Sequence, residues 1–482
     1  MNPLLLTDGY KVDHRRQYPN NTTLVYSNWT PRKSRIQGVD EVVFFGLQYF
    51  IKKYIIEDFQ THFFSRTKDE VIAKYAKRIN NYLGENAVGT KHIEDLHDLG
   101  YIPMVFKALP EGVSVPVRVP MFTMYNTKDE FFWLTNYFET LLSAVIWLPC
   151  NSATIAKEYR KVLGLYALET SSVPEFVNWQ AHDFSMRGMG GIEAAVTSAA
   201  GHLLSFTGTD TIPAIDFLEE YYNANSDLEL IGGSVAATEH SVMCMGTNEG
   251  EFETFQRLIV EVYPKGIVSI VSDTWDLWKV LTNYLPRLKD EITSREGKVV
   301  VRPDSGDPID IICGNPNGKT IEEQKGVIEL LWDVFGGTTN GKGYKELIPQ
   351  IGAIYGDSIT VERASQICER LKQKGFASTN VVLGIGSFTY QYNTRDTFGF
   401  AMKATYGEVS GQGRAIFKDP ITDDGTKKSA KGLLKIEMEN GVYKLVDEVS
   451  WEEEKQGELK EIFRDGKLLI NHSLAEIRSR VL

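Results

Sequence analysis

Short apolar strands that end in small or charged residues recur through the second half of the chain. The four clearest cover residues 268–271, 299–301, 351–355 and 381–383. Each is followed by glycine, serine, aspartate or arginine, and helical periodicity follows the first three, over residues 274–285, 321–335 and 361–374. Continuous apolar strands that alternate with helices are typical of a parallel sheet covered on both faces. The pattern therefore predicts a parallel β/α barrel or a doubly wound sheet.

The first part of the chain predicts a lobe of mixed helices and strands. Residues 104–124 are rich in valine and proline, which predicts a β-hairpin or meander. Residues 131–147 have the pattern of a buried helix that ends near Pro149. Asn151 or Ser152 is then expected to cap a second helix.

The last part of the chain predicts antiparallel strands. Residues 436–470 contain Asn-Gly and Asp-Gly turns, at Asn440 and Asp465, and we expect them to pack beside the N-terminal lobe. The predicted domains are an N-terminal α+β lobe over residues 1–150, a barrel with the active site over residues 151–394, and a C-terminal β-rich segment over residues 395–482.

Composition narrows the class of protein. The chain has 482 residues and a formal net charge of −12, and 42% of its residues are hydrophobic. The length predicts two or more lobes, and the negative charge argues against nucleic acid as the main partner. The four cysteines are scattered, which favours free thiols in a reducing compartment. We find no pattern of a signal peptide or a membrane span, so the expected location is the cytoplasm.

Functional groups are expected where the apolar strands end. The stretch KVVVRPDSGDP, residues 298–308, passes from a buried strand into a turn that carries Arg302 and Asp304. The guanidinium suits phosphate or an amide carbonyl, and the carboxylate suits a diol, a metal ion or a base. The other strand ends supply related groups, namely Ser272, Asp276, Gly356, Asp357, Gly386 and Ser387. Because the carboxyl ends of parallel strands meet at one edge, we expect these groups to converge there, with glycine turns that can cradle phosphate.

Three other segments carry candidate residues. Phe184 can stack on a flat heterocycle with Arg187 beside it, since the two share a face if the segment is helical; otherwise they are a core phenylalanine and a surface arginine. Asp210 follows a turn and can accept hydrogen bonds from a ligand amide or cap a helix. His240 follows a Gly-Gly-Ser segment and is either a nucleophile or acid–base group, or a structural histidine.

The order of these motifs resembles that of the nicotinamide phosphoribosyltransferases, in the type II phosphoribosyltransferase group. The resemblance runs from LLLTDGYKVDHRRQYP and FFGLQY through HDFSMRG, FTGTDT, ATEHS, VSDTWD, RPDSG and YGDS to FKDP. It implies an irregular parallel β/α barrel with an α+β lobe built from the N- and C-terminal segments, in a homodimer with active sites at the interface. It also implies transfer of ribose 5-phosphate from phosphoribosyl pyrophosphate to nicotinamide in NAD salvage, with Mg²⁺ required and ATP hydrolysis coupled through a phosphorylated histidine.

The resemblance also assigns roles to residues. Phe184 and, from the other subunit, Tyr10 would sandwich the pyridine ring. Asp210 would bind the carboxamide NH₂, and Arg302 its oxygen or a nearby phosphate. Asp304 would hold the ribose hydroxyls. The residues implied for the phosphates and the sugar are Arg187, Gly356, Asp357, Gly386, Ser387, Arg32, Arg395 and Lys403. Those implied for a tunnel and for ATP are Ser234, Ser272, Asp276, Lys418 and Lys427, with His240 as the phosphorylated histidine; no metal ligand is assigned.

This sequence departs from the family pattern at a few positions. Ser387 stands where another glycine is usual in the phosphate turn, and Ala401 stands where a serine contact is common. The loop that carries Lys427 is one residue longer. The departures at Ser387 and Ala401 bear on the affinity for phosphate, and the longer loop bears on the role assigned to Lys427.

Three alternatives remain open on the sequence. A nicotinate phosphoribosyltransferase is disfavoured because the charge of Asp210 would repel an acid substrate. A sugar-phosphate isomerase or aldolase would need a lysine or paired acids at the strand ends, where arginine and aspartate stand instead. A metabolite sensor without catalytic activity is disfavoured by the set of His240, Arg302 and Asp304.

Overall fold

A computed structural model describes the chain over residues 1–84, 88–356, 358–418 and 430–482. The described residues divide into two units. The first contains residues 1–154, 217–224 and 393–482, and the second contains residues 155–216 and 225–392. The first unit thus includes the short segment 217–224 from the middle of the chain. The predicted domain boundaries at residues 150 and 394 stay a prediction.

The described residues form twenty strands, β1 to β20 in chain order. They are β1 (Thr22–Thr30), β2 (Glu41–Val43), β3 (Met104–Ala108), β4 (Ser114–Pro116), β5 (Phe122–Asn126), β6 (Ala181–Asp183), β7 (Gly208–Thr209), β8 (Ala236–Ala237), β9 (Gly266–Val271), β10 (Gly297–Arg302), β11 (Gly337–Thr339), β12 (Lys345–Leu347), β13 (Ile351–Tyr355), β14 (Val381–Ile385), β15 (Ala401–Val409), β16 (Gln412–Ala415), β17 (Leu433–Glu439), β18 (Val442–Val449), β19 (Lys460–Arg464) and β20 (Lys467–Leu468).

The helices are of three kinds. The α-helices are His14–Gln17, Leu47–Phe50, Lys68–Leu83, Lys91–Leu99, Leu134–Tyr137, Glu139–Thr170, Val177–Gln180, Ile192–His202, Pro213–Tyr222, His240–Met245, Glu251–Arg257, Leu277–Lys279, Leu285–Arg287, Lys289–Ser294, Pro308–Cys313, Ile321–Phe335, Val361–Gln373, Ser387–Gln391, Trp451–Glu454 and Leu474–Val481. The π-helical segments are Ile51–Asp58, Gln60–Phe64, Leu258–Val262 and Val280–Tyr284. The 3-10 turns are Pro3–Leu5, Gly9–Lys11, Asp129–Phe131, Pro174–Phe176, Met186–Gly188, Ser378–Asn380 and Arg395–Thr397.

The main sheet of the second unit is parallel throughout. Its order is β7-β6-β14-β13-β10-β9-β8. Gly208 in β7 also forms a parallel bridge with Gly233, just before β8, which joins the two edges of the sheet. The backbone N–H of Thr209 donates to the carbonyl oxygen of Gly233 at 3.0 Å. The second unit is therefore the expected irregular parallel barrel rather than a doubly wound sheet.

The central barrel strands follow directly from their apolar sequences. All five residues of β13 and the last four of β9 are buried, as continuous apolar strands between a barrel interior and outer helices must be. The helices Ile321–Phe335 and Val361–Gln373 lie where the period of the sequence predicts them. The predicted alternation of strand and helix is confirmed.

The main sheet of the first unit is antiparallel and combines both ends of the chain. Its order is β16-β15-β1-β5-β3-β19-β20, so that strands from the C-terminal part flank three from the N-terminal part. Trp29 on β1 is fully buried and stacks on Phe400 with ring centroids 5.4 Å apart. The expected lobe built from N- and C-terminal segments is confirmed, as are the strand pairing within residues 104–124 and the two C-terminal turns.

The prediction that a helix ends near Pro149 is wrong. One helix, Glu139–Thr170, passes through this proline, and Asn151 and Ser152 lie buried inside it rather than capping a new one. A proline inside a helix costs about 3 kcal/mol because it removes a backbone hydrogen bond and crowds the preceding turn. Here burial compensates, because the proline ring packs against Gly46, where a Cβ atom would lie 2.8 Å from the ring.

No single helix of the described residues has the length and apolar character needed to cross a membrane. Asp129–Tyr137 and Glu139–Thr170, bent by 43° at the break between them, pass the same test jointly.

A buried ion pair in the first unit gives a test of this fold. Lys107 on β3 donates to Glu454 Oε2 at 2.7 Å, and the two side chains are 5% and 1% exposed. Removing one partner of a buried pair leaves an uncompensated charge, so Glu454→Ala is expected to lower the free energy of unfolding by about 3–5 kcal/mol. Urea denaturation measures this loss. The exposed Glu452→Ala, whose partner is Lys455, is the control and is expected to change it by less than about 1 kcal/mol.

Candidate functional site

The carboxyl ends of the barrel strands bring most of the predicted site residues of the second unit to one edge of the sheet. Each strand of this parallel sheet is followed by at least one of them, and ligands bind parallel barrels at this edge. In chain order these residues are Phe184 and Arg187 after β6, Asp210 after β7, His240 after β8, Ser272 and Asp276 after β9, Arg302 and Asp304 at β10, Gly356 after β13, and Gly386 and Ser387 after β14. Asp357 and Lys427 lie outside the described residues.

Asp183, at the end of β6, fixes the turn that presents the site. Its carboxylate is fully buried and accepts hydrogen bonds from the Ser185 backbone and hydroxyl groups at 3.1 and 2.6 Å. It also accepts from the hydroxyl groups of Thr209 and Thr211 at 2.8 and 2.7 Å. Since these threonines flank Asp210, this buried carboxylate ties the end of β6 to the end of β7.

Phe184 extends the ladder of β6 instead of entering a helix. Its backbone N–H donates to the carbonyl oxygen of Ile385 at 2.9 Å, and the 3-10 turn Met186–Gly188 starts two residues later. The segment is therefore not the helix on which Phe184 and Arg187 would share a face. The ring of Phe184 is partly exposed and fits over Gly384, where a Cβ atom would lie 2.8 Å from it.

Asp210 is held by two donors on one oxygen. His182 Nε2 lies 2.8 Å from Asp210 Oδ1, and the hydroxyl of Ser234 donates to the same oxygen at 2.6 Å. Partial burial opposes the charged form, yet the hydrogen bonds from His182 and Ser234 and the nearby charge of Arg302 outweigh it and lower the pKa of Asp210. The carboxylate is therefore ionised at neutral pH.

Arg302 and Asp304 occupy the end of β10. The guanidinium donates to the carbonyl oxygen of Thr238 at 2.8 Å, and its Nε lies 3.8 Å from Asp304 Oδ2. That Nε atom is buried and has no hydrogen-bond partner. A Cβ atom at Gly356 would lie 2.4 Å from Asp304 Oδ1, so glycine is required there for the aspartate to keep this position.

His240 is the first residue of the helix His240–Met245 and is half exposed. Its Nε2 lies 3.5 Å from Asp273 Oδ1, which is buried and has no hydrogen-bond partner. The other oxygen of Asp273 accepts from the backbone N–H of Asp304 and the hydroxyl of Ser305 at 2.9 and 2.6 Å. The histidine thus faces a carboxylate whose orientation is fixed.

Other predicted residues have structural contacts of their own. The hydroxyl of Ser272 is buried and donates to the carbonyl oxygen of Ile270, and Asp276 caps the helix Leu277–Lys279. Ser387 packs on Gly188, where a Cβ atom would lie 2.0 Å from its hydroxyl oxygen, and Gly386 is the N-cap of the next helix.

A cavity of about 560 Å³ lies inside the barrel. Its walls are mostly apolar, with Val300, Ile354 and Val382 among the lining residues, and it includes His182 and Ser234. Of the three residues predicted to line a tunnel, Ser234 is at this cavity, whereas Ser272 and Asp276 are not among its described lining residues.

Cations predicted to contact phosphate also group in the first unit. Burial lowers the pKa of Lys403, and the positive charges of Arg32, Lys11 and Lys418 lower it further against the effect of Glu139. Arg32 also donates to the carbonyl oxygen of Gly399 at 2.8 Å. Such a concentration of positive charge favours an anionic ligand.

Tyr10 and Arg395 both line a pocket of about 250 Å³ in the first unit. Tyr10 is 63% exposed, and its ring faces the ammonium of Lys11 at 5.1 Å. The pocket is otherwise lined by Asp8, Glu139, Thr140, Ser143, Ala144 and Trp147. An exposed aromatic ring beside an arginine can contact a flat anionic ligand.

The fold defines a class of protein. Over the whole chain, it is similar to the crystal structure of nicotinate-nucleotide pyrophosphorylase from Pyrococcus furiosus, with a TM-score of 0.57 and 13% identity, covering 100% of this chain and 95% of the other. It is also similar to human nicotinic acid phosphoribosyltransferase, with a TM-score of 0.54 and 14% identity, covering 98% and 92% of the two chains. The fold is therefore that of the nicotinate-type phosphoribosyltransferases.

Sequence similarity makes the assignment specific. Residues 179–467 match the nicotinate phosphoribosyltransferase (NAPRTase) family, and residues 2–102 match the N-terminal domain of nicotinamide phosphoribosyltransferase. Nicotinamide phosphoribosyltransferase from Acinetobacter baylyi is 54% identical over 100% of this chain and 97% of its own length. The protein of that name from Mycoplasma pneumoniae is 39% identical over 89% and 94%. The chain belongs to the nicotinate phosphoribosyltransferase family, and within it to the nicotinamide phosphoribosyltransferase group.

Proposed function

We propose that this protein transfers the phosphoribosyl group of phosphoribosyl pyrophosphate to nicotinamide, forming nicotinamide mononucleotide and pyrophosphate in NAD salvage. The observation that carries the proposal is an ionised Asp210 at the barrel edge, close to the aromatic face of Phe184 through their shared neighbour His182. A flat amide can stack on the ring while its NH₂ donates to the carboxylate. A nicotinate carboxylate at the same place would be repelled.

The sugar phosphate would bind next to this pocket. Asp304 can accept hydrogen bonds from the ribose hydroxyls, and the guanidinium of Arg302 beside it can donate to the amide oxygen or to a phosphate. The glycine turns after β13 and β14 let a phosphate approach backbone N–H groups. In the reaction, the bond from ribose C1 to the diphosphate breaks while the lone pair of the pyridine nitrogen forms the new bond. No proton leaves that nitrogen, so the site needs positioning and charge stabilisation rather than a general base.

Magnesium is proposed as a cofactor that enters with the diphosphate. Among the described residues, no group of three or more His, Cys, Asp or Glu side chains is arranged to hold a metal ion. Mg²⁺ in phosphate-binding sites is commonly held by one or two carboxylates and by the phosphates themselves. Asp304 is the carboxylate suited to this, and the metal would neutralise charge on the leaving diphosphate.

We also propose a cytoplasmic homodimer. The cations Arg32, Arg395 and Lys403, together with Tyr10, would contact the substrates bound at the barrel of the other subunit. ATP is proposed as a further substrate, which phosphorylates His240 beside the oriented carboxylate of Asp273. Lys418 would then lie with the cations that contact phosphates.

The test is a turnover assay with phosphoribosyl pyrophosphate and Mg²⁺, offering nicotinamide and nicotinate in parallel, each with and without ATP. The proposal expects nicotinamide mononucleotide as the main product and a faster reaction with ATP. Preferential use of nicotinate would instead identify a nicotinate phosphoribosyltransferase, and no transfer to either pyridine would reject both.

The space over Gly384 gives a second prediction. Gly384→Ala would place a methyl group 2.7 Å from the Cα atom of Gly356 and 2.8 Å from the ring of Phe184, so both the ring and the Gly356 backbone are crowded. We expect KM for nicotinamide to rise about tenfold, with a stability loss of about 1–3 kcal/mol. The control is Gly164→Ala in the helix Glu139–Thr170, where nothing lies within 4 Å of an added Cβ atom. Equal KM values for nicotinamide in the two variants would count against a role of Phe184 in holding the pyridine ring.

A further inference from the structure

His182 has unusual space around it within the barrel sheet. In the register of the parallel strands, it stands opposite Gly208 on one side and Gly384 on the other. A Cβ atom at Gly208 would lie 2.7 Å from His182 Nδ1. The imidazole can therefore lie over Gly208 and reach Asp210, which follows β7. A residue larger than glycine at position 208 would clash with the imidazole in this position.

The imidazole contacts both groups that form the proposed pyridine pocket. Its Nε2 lies 2.8 Å from Asp210 Oδ1, and its ring centroid lies 4.5 Å from that of Phe184. The side chain is only 10% exposed, so its position is set by packing. Because Asp210 is ionised and can only accept, Nε2 must carry the proton of this hydrogen bond.

The two donors to Asp210 act on the same oxygen. His182 and Ser234 both bind Oδ1, which leaves Oδ2 with its lone pairs available for a ligand N–H. An aspartate side chain has two rotatable bonds, and an unrestrained carboxylate would lose rotamer freedom when it binds the amide. The hydrogen bond from His182 removes that cost before the ligand arrives.

We propose that His182 is a positioning residue that determines specificity for the amide, by orienting Asp210 as an acceptor. This inference rests on the proposed function. His182 does not touch the reacting atoms; it acts through Asp210. Its loss should therefore weaken the binding of nicotinamide and the rejection of nicotinate, while the chemical step is largely retained.

Three substitutions separate this role from a merely structural one. In glutamine the amide nitrogen is three bonds from Cβ, as Nε2 is in histidine, so His182→Gln can keep the hydrogen bond to Asp210. In asparagine the nitrogen is one bond shorter and corresponds to Nδ1, so His182→Asn cannot reach. His182→Ala removes the donor altogether.

The experiment measures kcat and KM for nicotinamide and for nicotinate with each variant, and the midpoint of thermal unfolding. We expect KM for nicotinamide to rise about tenfold in His182→Ala and His182→Asn, with kcat changed less than about threefold, as the loss of one charge-assisted hydrogen bond would produce. The preference for nicotinamide over nicotinate should fall by a similar factor in both. His182→Gln should restore KM and preference to within about threefold of the wild-type values.

The results distinguish failure of the positioning role of His182 from failure of the proposed function. If the wild type uses nicotinamide but His182→Ala keeps its KM and its preference, the positioning role is rejected and the proposed function stands. The role is also rejected if glutamine and asparagine are equally impaired, or if the loss lies in kcat and thermal stability alone. A wild type that transfers to neither pyridine rejects the proposed function and this inference with it.

Discussion

Asp210→Asn is expected to lower the preference for nicotinamide over nicotinate by about 100-fold, because like-charge contacts in a pocket cost several kcal/mol. The substitution keeps the shape of the side chain and removes its charge. The asparagine NH₂ can also donate to a nicotinate carboxylate, which the native aspartate cannot do. The measurement is the ratio of kcat/KM for the two pyridines, with phosphoribosyl pyrophosphate saturating.

The matched control for this prediction is Asp216→Asn. Asp216 lies six residues further on, exposed in the first turn of the helix Pro213–Tyr222, and its replacement should leave the preference unchanged. Since hydrogen bonding lowers the pKa of Asp210, the wild-type preference should also be constant from pH 6 to pH 8. An Asp210→Asn enzyme that discriminates as the wild type does would remove this residue from the amide pocket.

The central barrel strands could be predicted because their sequences admit one interpretation. The structure has β13 over the predicted residues 351–355, where a run of apolar residues is bounded by turn-forming ones. By contrast β6, β7 and β8 contain two or three residues each, mainly alanine, glycine, histidine and threonine. Such segments have no periodicity, and they become strands because the neighbouring strands supply hydrogen-bond partners.

At Pro149, by contrast, the local sequence predicts the wrong structure. Local preference at a proline is to end a helix, and the two predicted helices on either side are each plausible alone. The outcome depends on how well the ring packs against Gly46, which is 103 residues away in sequence and has a positive φ of 107°. A contact between residues so far apart cannot be predicted from the local sequence around Pro149.

In the candidate site, too, some positions follow from a general rule and others depend on contacts between residues distant in sequence. Arg302, Asp304 and Asp210 could be predicted to lie at one edge of the sheet because the strand ends of a parallel sheet converge, which is a rule about topology. Asp183, His182 and Asp273 were missed as site residues. Their roles depend on partners from other strands, such as Asp210 28 residues from His182 and Ser305 32 residues from Asp273. The one available signal was that each lies within two residues of a strand end.

His240→Ala is expected to abolish the stimulation of the reaction by ATP while the basal reaction continues. In the proposed step, a ring nitrogen of His240 attacks the γ-phosphorus of ATP, and the bond from that phosphorus to the ADP oxygen breaks. The histidine ring becomes cationic as the bond forms, and Asp273 Oδ1, at 3.5 Å from Nε2, balances that charge. The pair leaves Nδ1 free to be the attacking nitrogen.

The measurement compares initial rates with and without ATP, and follows the transfer of label from γ-labelled ATP to the protein. The wild type should acquire label that is lost in acid and retained in base, as a phosphorylated histidine would, whereas His240→Ala should acquire none and show a rate ratio of about 1. Asp273→Asn should reduce labelling without abolishing it, because it keeps the shape and removes the charge. His62→Ala, on a partly exposed histidine of the first unit, is the control that should retain both label and stimulation. ATP stimulation of His240→Ala equal to that of the wild type would exclude this histidine as the phosphorylated residue.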